Sequence, residues 1–474
     1  MNFTSSSLPF DTYISPFTWR YGSVEMRRIF SEKHKYELWR KLWVSLAKAQ
    51  SKNGLVSKKE LDDLVSHQSD IDIDRILILE KETKHDVVAA IREYAEKAKI
   101  GGGKIHLGAT SMDIVDNTDA IRQKEALAII SKAVRELLDL FSKKIVQYAD
   151  VSCMGYTHLQ PAEPTTVGYR LSVYAYDLFL NCIMMNSVEK DLLKVKGLKG
   201  AVGTGASYHE ILLGKKTTVG ELEQTVMNSF DMKSHPISTQ VYPRIVDYYL
   251  LSVLAGIGAS LSKFATDLRV LQSPAIGEWA EPFGKSQVGS SAMPFKKNPI
   301  NSEKICSLGR YLATLPAVAL GNASLSILER TLDDSANKRI VMSEGFLALD
   351  EMLTTASKII EGLVIDEKRI VYNLSQFGPF AGTERIIIAA VKEGANRQEI
   401  HELIREISMK AWASVQEGKE NTLISLLTSD KRLSMYLTRK EIEEFIDVRH
   451  HVGDAPSRAK ILAKKILRLQ KGKI

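Results

Sequence analysis

Between residues 289 and 299 the sequence reads GSSAMPFKKNP, and Gly289, Pro294 and Pro299 keep regular helix or strand out of it. Two hydroxyls, Ser290 and Ser291, stand ahead of Lys296 and Asn298. Serine is a poor base in water and becomes one only where oriented amides and cations stabilise its alkoxide and closure excludes solvent. The composition suits such a mobile lid, and it equally suits a solvated connecting loop. A second cluster, GYTHLQPAEPTT, places His158 shortly before Pro161, at an element end or turn. There a histidine can donate a proton near neutral pH or simply hold structure. In a third, KHDVV (residues 84–88) is followed by HLGATSMDIVDN (residues 106–117), where Thr110 and Ser111 precede a helix whose free N–H groups would cradle a carboxylate. Capping by Ser111 or Asp113 is the plainer reading. The fourth is ERTLDDSANKRI, in which Arg330, Ser335 and Arg339 would hold a phosphate. Ser335 and Arg339 are one helical turn apart, and pairing of the arginines with Asp333 and Asp334 is the competing use.

The elements that must position these groups are helices. From Val246 the apolar positions run Val246, Leu250, Val253, Ile257, Leu261, Phe264, Leu268 and Leu271, spaced by three or four. Similar patterns cover roughly 24–50, 113–148, 165–195, 300–325 and 336–363, while β-branched alternating runs are scarce. This predicts an all-α chain whose long helices pack as a bundle. Gly101 to Gly103, the Gly-rich KGLKGAVGTGASYHE and the stretch NLSQFGPFAGTE (residues 373–384) punctuate it. Boundaries near 105 and 365 divide the chain into 1–105, 106–365 and 366–474. Thr438 and Glu441 have capping-box spacing. Neither GxGxxG nor GxxxxGK[ST] occurs, so a Rossmann or P-loop nucleotide site has no support.

Composition narrows the class. With 474 residues, 44% apolar and 26% charged, the chain reads as an ordinary globular protein. The net charge of +7 comes from 64 basic and 57 acidic residues without a clustered stripe, apart from the basic helix pattern RAKILAKKILRLQKGKI. That pattern reads as a solvated helix face, so no nucleic-acid or membrane partner is expected. Cys153, Cys182 and Cys306 are widely spaced and suggest reduced thiols, and no metal-ligand spacing appears. The sequence shows no secretory-type start and no apolar run judged long enough to span a bilayer, so a cytoplasmic protein is expected.

With these residues in hand, GSSAMPFKKNP matches the fumarase/aspartase superfamily signature G-S-x-x-M-x-x-K-x-N. RYGSVEM (residues 20–26), KHDV, HLGATS, THLQPAEPTT and ERTLDDSANKRI resemble the adenylosuccinate lyases within it, over roughly residues 20 to 340. The resemblance implies a three-domain all-α fold whose central helices form a twenty-helix core in a homotetramer, with each active site drawn from three subunits. It implies anti β-elimination of fumarate from adenylosuccinate, giving AMP, and from SAICAR, giving AICAR, with no metal or organic cofactor. By the same resemblance His158 is the general acid and Ser290 the general base, with Ser291 the adjacent alternative. His85 helps to bind and orient the phosphate and charge network, Lys84 and Asp86 beside it contact substrate, Thr110 and Ser111 hold the succinyl carboxylates, Arg20 and Tyr21 make nucleotide contacts, and Gln240 makes a substrate amide contact. Lys296 and Asn298 serve the carboxylate side of the loop, Lys304 contacts substrate, and Arg330, Ser335 and Arg339 grip the phosphate. Lys84 and Lys304 stand where arginine is usual, exchanging a bidentate contact for a point charge, and Gly205 replaces a common glutamine. The rival readings are a superfamily lyase acting on another N-succinyl compound and a non-catalytic structural relative.

Overall fold

The computed structural model describes residues 11–470. The chain is all-α as expected, with long helices Glu32–Ser51, Ser111–Gln147, Val167–Ser187, Ile245–Leu271, Ser335–Glu361 and Glu367–Lys392, and two short two-stranded sheets. It divides into two compact units, one formed by residues 1–134, 181–259 and 307–354, the other by 135–180, 260–306 and 355–474.

In the first unit, helices Glu32–Ser51, Lys58–Ser66, Ile73–Thr83 and Asp86–Lys97 bury a core that includes Trp39, Trp43, Tyr94 and Tyr208. Their starts are fixed by side chains. Ser31 accepts the N–H of His34, Ser57 forms a capping box with Glu60, and Asp72 accepts from Arg75. The continuous helix read over 24–50 breaks at Phe30 because Ser31 caps a new helix. The segment 300–325 likewise divides into Ile300–Leu312 and Leu315–Ser324, the second opening with a proline in its first turn.

Asp113 does more than cap. It is fully buried and forms an ion pair with Lys196. It also accepts the N–H groups of Thr110 (3.0 Å) and Lys199 (3.2 Å) and the Tyr208 hydroxyl (3.1 Å). Asn117 accepts from the Gly197 N–H at 2.8 Å and returns a bond to its carbonyl at 3.1 Å. The Gly-rich loop is thus an anchored structure, with left-handed backbone at Gly197, Gly200, Gly203 and Gly205.

In the second unit, Ser152–Thr157 pairs antiparallel with Gln160–Thr166, with an irregularity between Met154 and Tyr156. The two residues at the tip, His158 (φ 53°) and Leu159 (φ 61°), are both left-handed, as in a type I′ turn that ordinarily draws Asn-Gly. Arg170 braces this hairpin by donating to the Met154 carbonyl and to the buried Glu278 carboxylate at 3.1 Å. Near the C-terminus, Ile400, Leu403, Leu427, Ile442 and Ile446 pack a smaller core, and the Thr438–Glu441 capping box is present.

Two expectations are corrected. NLSQFGPFAGTE is no punctuation: helix Glu367–Lys392 runs through it with Pro379 inside. Its glycines serve close approach instead, since a Cβ at Gly378 would lie 2.8 Å from Val448 Cγ2 and one at Gly382 2.8 Å from the Ile446 Cα. The second concerns apolar length. Ile245–Leu271 is a helix long and apolar enough to cross a membrane by length and composition. Half of its most apolar window is buried inside the protein, and core helices of soluble proteins pass the same test of length and composition.

Candidate active site

Four segments of the first unit converge on one cavity of about 660 Å³. The first is the joint between helices Ile73–Thr83 and Asp86–Lys97. Lys84 ends the first helix in left-handed conformation (φ 54°), and His85 starts the second as its cap, its Nδ1 accepting the Val88 N–H at 3.5 Å. The second is the start of helix Ser111–Gln147, where Ser111 is the first helical residue. Asp113 takes the Thr110 N–H, and the Thr110 and Ser111 hydroxyls, without a hydrogen-bond partner among the described residues, line the cavity. Gln240 forms the third wall, its side chain donating to the Ala201 carbonyl at 3.1 Å and its N–H to the Glu329 carbonyl at 3.2 Å. The fourth is the segment carrying Arg330, Ser335 and Arg339, with Ser335 opening helix Ser335–Glu361.

The arginines are engaged. Arg330 Nη1 donates to Asp334 Oδ1 at 2.8 Å, and Arg339 Nη2 to Asp86 Oδ2 at 3.2 Å. The pairing alternative recognised in the sequence therefore holds for Asp334, while Arg339 finds a carboxylate far away in the chain.

Beneath them lies an ionic floor that the sequence reading missed. Arg244 grips Asp116 with both terminal nitrogens (3.0 and 3.1 Å) and donates through Nε to Asp334 at 2.7 Å. Lys338 donates to Asp119 at 2.9 Å, and Arg122 lies 3.8 Å from the same carboxylate. Burial works to raise the Asp119 and Asp334 pKa values, but Lys338 and Arg122 outweigh it at Asp119, and Arg244 and Arg330 at Asp334, so both stay below the usual carboxylate range. Burial and Arg244 act to strip the proton from Lys338, yet Asp119, Tyr242 and Asp247 hold its pKa well above normal. Asp247 is the exception. Burial pushes its pKa up despite Lys338 and Arg244. At Asp119, Asp334 and Lys338 the floor thus favours the charged forms. A signal was available: Asp113, Asp116 and Asp119 recur every three residues on one helix.

Arg20, Tyr21 and Lys84 do not line this cavity. The Arg20 guanidinium sits over the Trp19 and Tyr21 rings, and the following backbone N–H groups of Gly22 and Ser23 donate to Glu351 (3.2 Å) and Asp350 (2.5 Å).

His158, Ser290, Lys296, Asn298 and Lys304 belong to the second unit. His158 is exposed at its hairpin tip. The Ser290 hydroxyl oxygen accepts the N–H groups of Met293 (3.1 Å) and Ala292 (3.3 Å), the oriented amides that a serine base requires. Ser291 has no such pair. Asn298 donates to the Gly289 carbonyl at 2.9 Å and closes the loop, Lys296 is exposed, and Lys304 lies on helix Ile300–Leu312.

Residues 21–310 match the family model described as lyase, and residues 379–460 the one described as adenylosuccinate lyase C-terminus. The chain is 39% identical to the adenylosuccinate lyase of Schistosoma mansoni over 425 residues, covering 89% of this chain and 88% of that protein. It is 36% identical to that of Saccharomyces cerevisiae over 463 residues (96% and 95% covered) and 34% to that of Pyrococcus abyssi over 433 residues (91% and 93%). The chain belongs to the adenylosuccinate lyase family. The match at residues 379–460 extends the likeness into the C-terminal block, where the sequence itself offered few signatures. Among solved structures, a fumarate lyase from Mesorhizobium sp. BNC1 superposes with a TM-score of 0.83 at 20% identity, over 96% of this chain and 99% of that one. The 3-carboxy-cis,cis-muconate lactonizing enzyme of Pseudomonas putida gives 0.83 at 21%, over 94% and 98%. At such identities these two speak for the fold alone, which adenylosuccinate lyases share with their wider superfamily.

Proposed function

We propose that this protein cleaves adenylosuccinate to AMP and fumarate, and SAICAR to AICAR and fumarate, by anti β-elimination. The observation that carries the reading is the cavity itself, which gathers the two free hydroxyls at a helix start, His85, Gln240 and the Arg330–Ser335–Arg339 set on one ligand-sized space. Hydroxyls and helix N–H groups suit the succinyl carboxylates, and guanidinium with hydroxyl suits the phosphate.

The Ser290 alkoxide takes the proton from the carbon beside a carboxylate, and the electron pair moves into that carboxylate as a dianionic aci form. Lys296 and Asn298 face the growing charge. The pair then returns to form the fumarate double bond as the C–N bond breaks, and His158 protonates the departing nitrogen. The two amide N–H groups on the Ser290 oxygen support Ser290 over Ser291 as the base.

The site is completed in a homotetramer, with His158 and Ser290 supplied by other copies than the one that supplies Thr110 and Ser111. Helix Val167–Ser187 supports this by exposing Val173, Tyr176, Leu180, Ile183 and Met184 at spacings of one, three and four, an apolar stripe suited to helix packing. A reducing cytoplasmic setting fits the three buried cysteines, none of which is in a disulfide.

His158→Ala and Ser290→Ala test the roles. Each should lower kcat for fumarate release by about 10²- to 10⁴-fold with helical content unchanged by circular dichroism. Wild-type turnover in either variant would remove that residue from the mechanism.

A further inference from the structure

Both arginines of the proposed phosphate grip hold a carboxylate, and the two carboxylates are not equivalent. Asp334 has a second cation, since Arg244 donates to its other oxygen at 2.7 Å, so Arg330 can leave it without stranding a charge. Asp86 has no such reserve. Its Oδ1 accepts the N–H of Val87 at 2.8 Å, and its Oδ2 receives Arg339 at 3.2 Å. His85 Nδ1 lies 3.7 Å from Oδ1, but its lone pair already accepts the Val88 N–H. Asp86 and Arg339 both line the cavity, yet they come from different segments, 253 residues apart, so their bond ties the Lys84–Asp86 joint to the start of helix Ser335–Glu361.

We infer that Asp86 is an internal counter-ion standing in the phosphate subsite, and that substrate phosphate binds by displacing its carboxylate from Arg339. The inference rests on the reading of Arg339 as part of the phosphate grip. It revises the role of Asp86 from a substrate contact to a competitor, and it makes Asp86 a specificity-determining residue. A ligand without a phosphate cannot exchange with the carboxylate, so the pair stays closed across the cavity wall. A phosphate offers more acceptor oxygens and more charge than the carboxylate it replaces, and only it opens the pair. The exchange is inexpensive because water screens the pair from the arginine side: the Arg339 side chain retains 69% of its accessible surface, while Asp86 is half-buried at 23%.

Asp86→Asn removes the charge and keeps the oxygen that caps Val87, so the local helix start is preserved. The test titrates AMP and adenosine into the full-length wild type and variants by calorimetry and reads the ratio of the adenosine to the AMP dissociation constant. In Asp86→Asn that ratio should rise about two- to fivefold, through tighter AMP binding with adenosine unchanged. Asp86→Glu, which restores the counter-ion, should keep the ratio near the wild-type value. General structural damage would weaken both ligands together and leave the ratio alone. If the Asn variant does not fold, Asp86→Ser carries the same comparison. An unchanged or lower ratio in the charge-removing variant overturns the inference. A wild type with no preference for AMP over adenosine would instead refute the phosphate grip itself.

Discussion

At the scale of single residues, the candidate side chains could be picked out in the sequence because their types are rare in such company, and their partners could not. Ser290, His158, Thr110 and Arg339 stand out as polar groups between apolar runs, but nothing in ERTLDDSANKRI tells that Arg339 meets Asp86, or that Arg244 bridges Asp116 and Asp334. Such pairings are set by tertiary approach over long stretches of chain. His106 illustrates the same limit. Left-handed at φ 66° and half-buried, it accepts the Trp43 indole N–H at 3.1 Å and must be neutral at Nδ1 to do so. Burial lowers its pKa from 6.5 to about 4, against a smaller opposing pull from Asp113. The folded state therefore resists a proton that the unfolded chain takes up readily, so stability is lost as pH falls from about 6.5 towards 4. A pH series of thermal melts should show this decline, and His106→Gln should flatten it. An equal decline in the variant would assign the acid lability to other groups.

At the scale of elements, the long helices were legible because apolar residues spaced by three and four can be buried together only on a helix. Breakers were the weak point. Gly101 to Gly103 do close a helical region, with a short 3₁₀ turn at Gly102–Lys104, whereas Gly378 and Gly382 sit inside helix Glu367–Lys392 as contact points for residues 445–448. A glycine that ends a helix and one that admits a neighbouring backbone read alike until the neighbour is known. The difference is measurable: Gly382→Ala would set a methyl 2.8 Å from the Phe445 carbonyl oxygen and the Ile446 Cα. It should destabilise the protein by about 1–3 kcal/mol in urea unfolding, although alanine is the better helix former. A stabilised variant would show that the contact yields freely. The hairpin carrying His158 was legible as a turn, while its left-handed, non-glycine tip was not, since His-Leu is a poor type I′ sequence.

At the scale of the whole molecule, the all-α class followed from periodicity, and family membership followed from the ordered motifs and the matches over most of the chain. The proposed assembly rests on the resemblance. The exposed stripe on Val167–Ser187 is its physical counterpart, because five large apolar side chains on one helix face are seldom left to solvent. Sedimentation with parallel assay should find activity confined to the tetramer and lost on dilution to single chains, and an active monomer would reject the shared site. The central claim is tested most directly by ultraviolet absorbance with the purified wild-type protein, offered adenosyl and non-adenosyl succinyl compounds in turn. Adenosine-bearing substrate, adenylosuccinate, should be consumed with one fumarate released per AMP formed, and argininosuccinate and malate should be untouched. Cleavage of argininosuccinate or malate, with adenylosuccinate left intact, would contradict the account.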